Sequence, residues 1–143
     1  MPYVIIRMYI MAMQTEIFTP IAICGEVTAG RPTRGEETES GCISVDLSTI
    51  GISPNARTFA LRVRGDSMSG AHILDGDTIV LEMKTPHDGA IVAALVDGES
   101  TLKRYFVRRG VPYLRADNPK YADVIPAAEL VIQGVLVAVF RKT

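Results

Sequence analysis

Ser67 and Lys103 are the residues of this 143-residue chain whose types and spacing best fit a chemical reaction. Ser67 lies in VRGDSMSGAHILDGDTIVLEM (63–83), and Lys103 follows in DGESTLKRYFV (97–107). A serine hydroxyl is a weak nucleophile until a positioned base takes its proton. Lysine is such a base only when uncharged, and burial among apolar groups favours its neutral form. Leu102, Tyr105, Phe106 and Val107 supply those groups on an extended segment. Serine–lysine pairs are a variant of nucleophile and base, and the chemistry is acyl transfer at a peptide carbonyl. The backbone N–H groups of Ser67 and its neighbour would stabilise the oxyanion. Gly65 allows the tight turn that presents them, and Met68 lines the pocket. The competing reading has Ser67 capping a short helix and Lys103 extending from a sheet edge. His72 is a rival base, disfavoured because it lies in loop only five positions after Ser67.

The elements that must hold this pair read as strands. RTFALRVR (57–64) alternates, TIVLEM (78–83) is short and apolar, and GAIVAALV (89–96) is a longer apolar run. STLKRYFVRR (100–109), VPYLRAD (111–117) and IQGVLVAVFRK (132–142) follow, with Gly, Asp and Asn turns between them. Asp97-Gly98 between two apolar runs signals a hairpin. No long helical period and no repeat is present. The expected fold is mostly β, a highly curved and largely antiparallel sheet or partial barrel. Ser67 then falls just past strand 57–64, where a short helix begins, and Lys103 inside the strand after the hairpin. Residues 30–42 are polar and Gly-rich with Glu36, Glu37 and Glu39, which reads as a flexible linker. It divides a short arm (1–29) from a β-rich body (43–143).

Composition excludes several classes. Hydrophobic residues make up 48% against 22% charged, so the chain can bury a core. A net charge of −1 gives no global basic surface for nucleic acid. Arg104, Arg108, Arg109 and Arg115 cluster in sequence, but strand alternation is expected to scatter them over two faces. Cys24 and Cys42 lack metal-ligand spacing and read as free thiols. With only His72 and His87 besides, neither a metal site nor a cofactor is expected. The apolar stretch VIIRMYIMAM (4–13) is interrupted by Arg7 and falls short of the ~20 residues of a spanning helix. It also lacks the marks of a signal peptide, so the expected setting is cytoplasmic, away from membranes.

G-D-S-M (65–68), L-D-G-D (74–77), T-L-K-R (101–104), V-D-L (45–47), the strand 59–63 and Q-G-V-L-V-A-V (133–139) recur together in one order. In them the chain resembles the self-cleaving peptidase domain of the LexA repressor and UmuD family, from about Ile21 to the end. Type I signal peptidases share part of the S-M and K-R pattern, but no membrane anchor is expected here. The resemblance implies autoproteolysis ahead of the catalytic body, after a small residue and before glycine. Val27-Thr28-Ala29-Gly30 fits that V-x-A-G pattern, with the cut between Ala29 and Gly30 and Val27 filling an adjacent pocket. Cys24-Gly25 is a second candidate, being the UmuD-type spelling.

The C-terminal strand, Gln133–Arg141, is apolar and lies near the chain end, where an unpaired edge invites pairing. The resemblance likewise implies a homodimer through it, with a RecA–single-stranded-DNA filament as co-protease. Only 29 residues precede Gly30, too few for a winged helix-turn-helix, so direct DNA binding is not expected of a chain this short. The favoured architecture is therefore UmuD-like. A short arm is removed in the DNA-damage (SOS) response, giving an active accessory of an error-prone, Y-family DNA polymerase. The alternatives are the peptidase and dimerisation domain of a LexA-like repressor without its DNA-binding part, or a non-catalytic interaction module.

Overall fold

Among the described residues, short runs rich in Val, Ile, Leu and Ala, separated by glycine turns, build eight strands and no α-helix. The computed structural model describes residues 18–29, 41–124 and 129–143. The strands are β1 (Phe18–Thr28), β2 (Cys42–Asp46), β3 (Thr58–Arg64), β4 (Thr78–Glu82), β5 (Ile91–Val96), β6 (Glu99–Arg108), β7 (Val111–Arg115) and β8 (Leu130–Phe140). They form one open sheet in the order β2-β1-β3-β4-β8-β5-β6-β7. Every neighbouring pair is antiparallel except β1 and β3, which run parallel. The mostly β, largely antiparallel architecture is the one expected from sequence.

Turn chemistry sets the registers. Asp97 and Gly98 both take positive φ, 49° and 85°, as the two-residue turn of a right-twisted hairpin requires. That turn pairs Ala93 with Leu102 and Val92 with Lys103, fixing which face of β6 each residue occupies. The main apolar cluster draws on Val27, Ala29, Leu61, Val63, Met68, Ile73, Ile79, Leu81, Ala93 and Leu102. The site therefore grows out of the core itself.

Four expectations need correction. The last part of the segment read as an arm is β1, which lies inside the sheet between β2 and β3. Its alternation of buried Ile21, Ile23, Val27 and Ala29 with outward residues is the period-2 pattern of a half-buried strand. Cys42, placed in the linker, begins β2; residues 30–40 of that linker, and the apolar stretch 4–13, lie outside the described residues. β8 is an edge strand only in part: it pairs with β4 over 135–140 and with β5 over 130–135, so among the described residues 136–140 keep a side with no ladder partner. The helix expected near Ser67 is a single 3-10 turn, Ser69–Ala71, closed by His72 in the left-handed region.

The arginines also differ from expectation. Arg104 and Arg108 sit at even positions of β6, and Arg104 pairs with Arg115 across β7, so three of the four share a face. Phe106 and Tyr113 stack between them, ring centroids 5.3 Å apart, with Arg115 over Phe106 and Arg108 over Tyr113. Arg104 is held by Asp117. The grouping stabilises the outer β6–β7 hairpin by packing as much as by charge.

Candidate active site

β3 ends at Arg64, and Gly65 turns the chain with φ 94°, a conformation costly for residues with a Cβ. The Asp75 carboxylate accepts the Gly65 N–H at 2.8 Å, tying the turn to the loop that leads into β4. Ser67 and Met68 follow, both fully buried. Lys103 enters from the middle of β6 on the core face and is only 2% exposed.

Lys103 Nζ lies 2.9 Å from Ser67 Oγ, 3.0 Å from Thr101 Oγ1 and 3.2 Å from the Leu102 carbonyl oxygen. Among the described residues no carboxylate pairs with it, and burial lowers its pKa from 10.5 to about 8. The three contacts have a chemical reading. An ammonium donates to all three oxygens, whereas a neutral amine has two N–H bonds and one lone pair. Donation to Thr101 and Leu102 leaves that lone pair facing the Ser67 hydroxyl. Thr101, itself buried, is a residue that sequence reasoning missed. Its signal was available: it stands two positions before Lys103 on a strand and so shares its face.

The end of β1 runs into this centre. Val27 pairs with Val63 and Thr28 with Arg64, and the Ala29 N–H continues the ladder to the Arg64 carbonyl. The Ala29 carbonyl oxygen then accepts the backbone N–H of Ser67 at 3.2 Å. Val27 and Ala29 are fully buried on the same face, packed in the cluster that contains Met68 and Leu102. A backbone carbonyl thus sits at the amide of a serine whose hydroxyl touches a buried lysine. That arrangement can support acyl transfer. Gly30 lies outside the described residues.

The other sequence candidates are elsewhere. Cys24 and Cys42 are exposed free thiols on β1 and β2. His72 ends the 3-10 turn, and its carbonyl accepts from Arg141. Among the described residues, no cluster of His, Cys, Asp or Glu could hold a metal ion, and no helix is long and apolar enough to cross a membrane.

Comparison with known proteins agrees on a family. Residues 21–137 match the family model described as Peptidase S24-like. The chain is 54% identical over 121 residues to the LexA repressor of Verrucomicrobium spinosum, covering 85% of this chain and 60% of that protein. It is 42% identical to the LexA repressor of Opitutus terrae, with 85% and 62% covered. With LexA repressor 1 of Nocardia farcinica it shares 38% identity, with 92% and 59% covered. The chain thus spans about 60% of the length of these curated relatives.

Proposed function

The chain belongs to the Peptidase S24-like family of LexA- and UmuD-type self-cleaving peptidases, and from that premise we propose that Ser67 and Lys103 are a catalytic dyad that cuts the chain between Ala29 and Gly30. The observation that carries the proposal is the Ser67 N–H on the Ala29 carbonyl, beside the contact of Ser67 Oγ with Lys103 Nζ. Neutral Lys103 takes the hydroxyl proton as Oγ bonds to the Ala29 carbonyl carbon, and the oxygen becomes an oxyanion held by the Ser67 N–H. Collapse breaks the bond to the Gly30 nitrogen, which receives the proton from Lys103. The acyl group remains as an ester on Ser67. Water, deprotonated by Lys103, attacks that ester, freeing the Ala29 carboxylate and restoring the serine. Holding the substrate on the same chain replaces a bimolecular encounter, so a modest catalyst suffices. Val27 and Ala29, buried on one face, support the choice of this bond.

The biological role follows the relatives. Their names favour the peptidase and dimerisation part of a LexA-type SOS repressor over the UmuD-like polymerase accessory. In this reading a RecA–single-stranded-DNA filament stabilises the conformation with the 21–30 segment in the cleft, shifting a population and contributing no catalytic group. A homodimer would form along the outer half of β8, where residues 136–140 have ladder partners only on β4 among the described residues, and where Val139 and Phe140 are exposed. The test is to incubate the purified chain from pH 6 to pH 10 and follow its intact mass. Fragments that appear faster as pH rises support the dyad. A chain that stays whole at every pH, with or without the filament, refutes it.

A further inference from the structure

The segment after β7 presses on the nucleophile's turn from outside the dyad. Asn118 Nδ2 donates to the Asp66 carbonyl oxygen at 2.9 Å, and the Asp117 carbonyl accepts the Gly70 N–H at 2.7 Å. The approach at Gly70 is so close that a Cβ there would stand 2.3 Å from the Asp117 oxygen. The Tyr121 hydroxyl donates to the Asp66 carboxylate. Asp117 is in turn gripped by the guanidinium of Arg104, the residue next to Lys103, which also donates to the Gly89 carbonyl at 2.7 Å. The turn carrying Ser67 and the strand carrying Lys103 are thus fastened to one short piece of chain.

The contact at Asp66 has a specific consequence. The Asp66 carbonyl and the Ser67 N–H are the two ends of one peptide unit, which is planar and rigid. A donor fixed on the oxygen therefore sets where the N–H points, and the N–H points at the Ala29 carbonyl. Donation to the oxygen also polarises the unit and strengthens the N–H as a donor. We infer that Asn118 is a positioning residue for self-cleavage, orienting the Ser67 amide that receives the developing oxyanion. The inference rests on the reading of Ser67 as nucleophile. Asn118 acts through the peptide and touches no reacting atom.

The test compares Asn118→Ala and Asn118→Asp with the parent chain and with Ser67→Ala, measuring the cleavage rate from pH 6 to pH 10. Asn118→Asp is nearly isosteric and keeps the oxygen that accepts the Lys120 N–H, losing the amide that donates to the Asp66 carbonyl and, at 3.4 Å, to Ser69 Oγ. Removing a direct oxyanion donor costs roughly 100- to 1,000-fold, so losing its orienter should lower the high-pH plateau by roughly 10- to 100-fold. In Asn118→Ala the midpoint should stay near the value of about 8 set by burial of Lys103. Loosening of the fold would instead wet Lys103 and raise the midpoint. Plateau rates equal to the parent in both variants, or a loss that vanishes at pH 10, would overturn the inference. If Asn118→Ala does not fold, Asn118→Asp decides by its plateau alone. Cleavage by Ser67→Ala would overturn the nucleophile reading and this inference with it, whereas an inert Ser67→Ala beside fully active Asn118 variants removes only the inference.

Discussion

The two halves of β1 each contain a residue that precedes glycine, Cys24 and Ala29, and their surroundings differ. Cys24 lies where the strand passes from its antiparallel partner β2 to its parallel partner β3, with an irregularity of register between Ile23 and Glu26. Its side chain is exposed. Ala29 is fully buried, and its carbonyl meets the Ser67 amide. Five residues of strand separate the two carbonyls by roughly 16 Å. Both bonds offer a small residue followed by glycine; only one reaches the dyad while the strand keeps its register. In the proposed reaction the choice of bond would be made by the pairing of β1 with β3 more than by the residues on either side of the bond.

The sharpest break in that comparison comes from the dyad. Ser67→Ala and Lys103→Ala should each lower cleavage at Ala29 by 10,000-fold or more, on the order of losses seen for other nucleophile–base units. Intact mass after prolonged incubation at pH 9 measures this. Cleavage persisting in Lys103→Ala at the parent rate would hand the base role to another group. Next in size is pH. With a pKa of about 8, Lys103 is neutral in roughly one molecule in a hundred at pH 6, so the rate should rise about 100-fold from there to its plateau. A flat profile between pH 6 and pH 10 would rule out lysine as base.

The Ala29 half of the strand is also the half next to the buried cation, which has a stability consequence. The folded pKa of Lys103 lies below its ordinary value, so the unfolded chain holds the proton more tightly between pH 8 and 10.5. Native stability from this group is therefore lowest below pH 8 and grows as pH rises to 10.5, by about 3 kcal/mol. Lys103→Met should accordingly raise the melting temperature at pH 7, with an advantage that shrinks by pH 10. An equal or lower melting temperature at pH 7 would mean that the ammonium is better solvated than its burial implies. The smallest effect sharpens the comparison most directly. Ala29→Leu overfills a packed site at a cost of about 1–3 kcal/mol and should slow cleavage roughly tenfold or more, while Cys24→Leu, on an exposed face, should leave the rate within about twofold. The reverse pattern in a densitometric time course would place the cut at the other glycine.

Much of this was legible in the sequence, for physical reasons that can be named. Ser67 after a Gly-Asp turn and Lys103 in an apolar strand are local patterns, and Asp97-Gly98 sets the hairpin by its own backbone preference. That Val27 and Ala29 share one face was readable too, since it depends only on an extended chain; that this face is buried came from the sheet. Sequence failed where pairing is long-range. β1 seemed an arm because the polar run after it looks like a boundary, yet its partner β3 lies beyond that run. β8 seemed an edge along its whole length because it ends the chain, but the sheet pairs its first half with β5 and leaves 136–140 one-sided among the described residues. Asn118 and Asp117 sat in an ordinary Asn-Pro turn, and nothing local revealed that their hydrogen bonds reach back to Asp66 and Gly70.

In the proposed reaction Ser67 attacks the Ala29 carbonyl. N-terminal sequencing of the large fragment, formed by the purified chain at pH 9, tests it most directly. The expected fragment has its new N-terminus at Gly30. A fragment beginning at Gly25, or anywhere else, would contradict it.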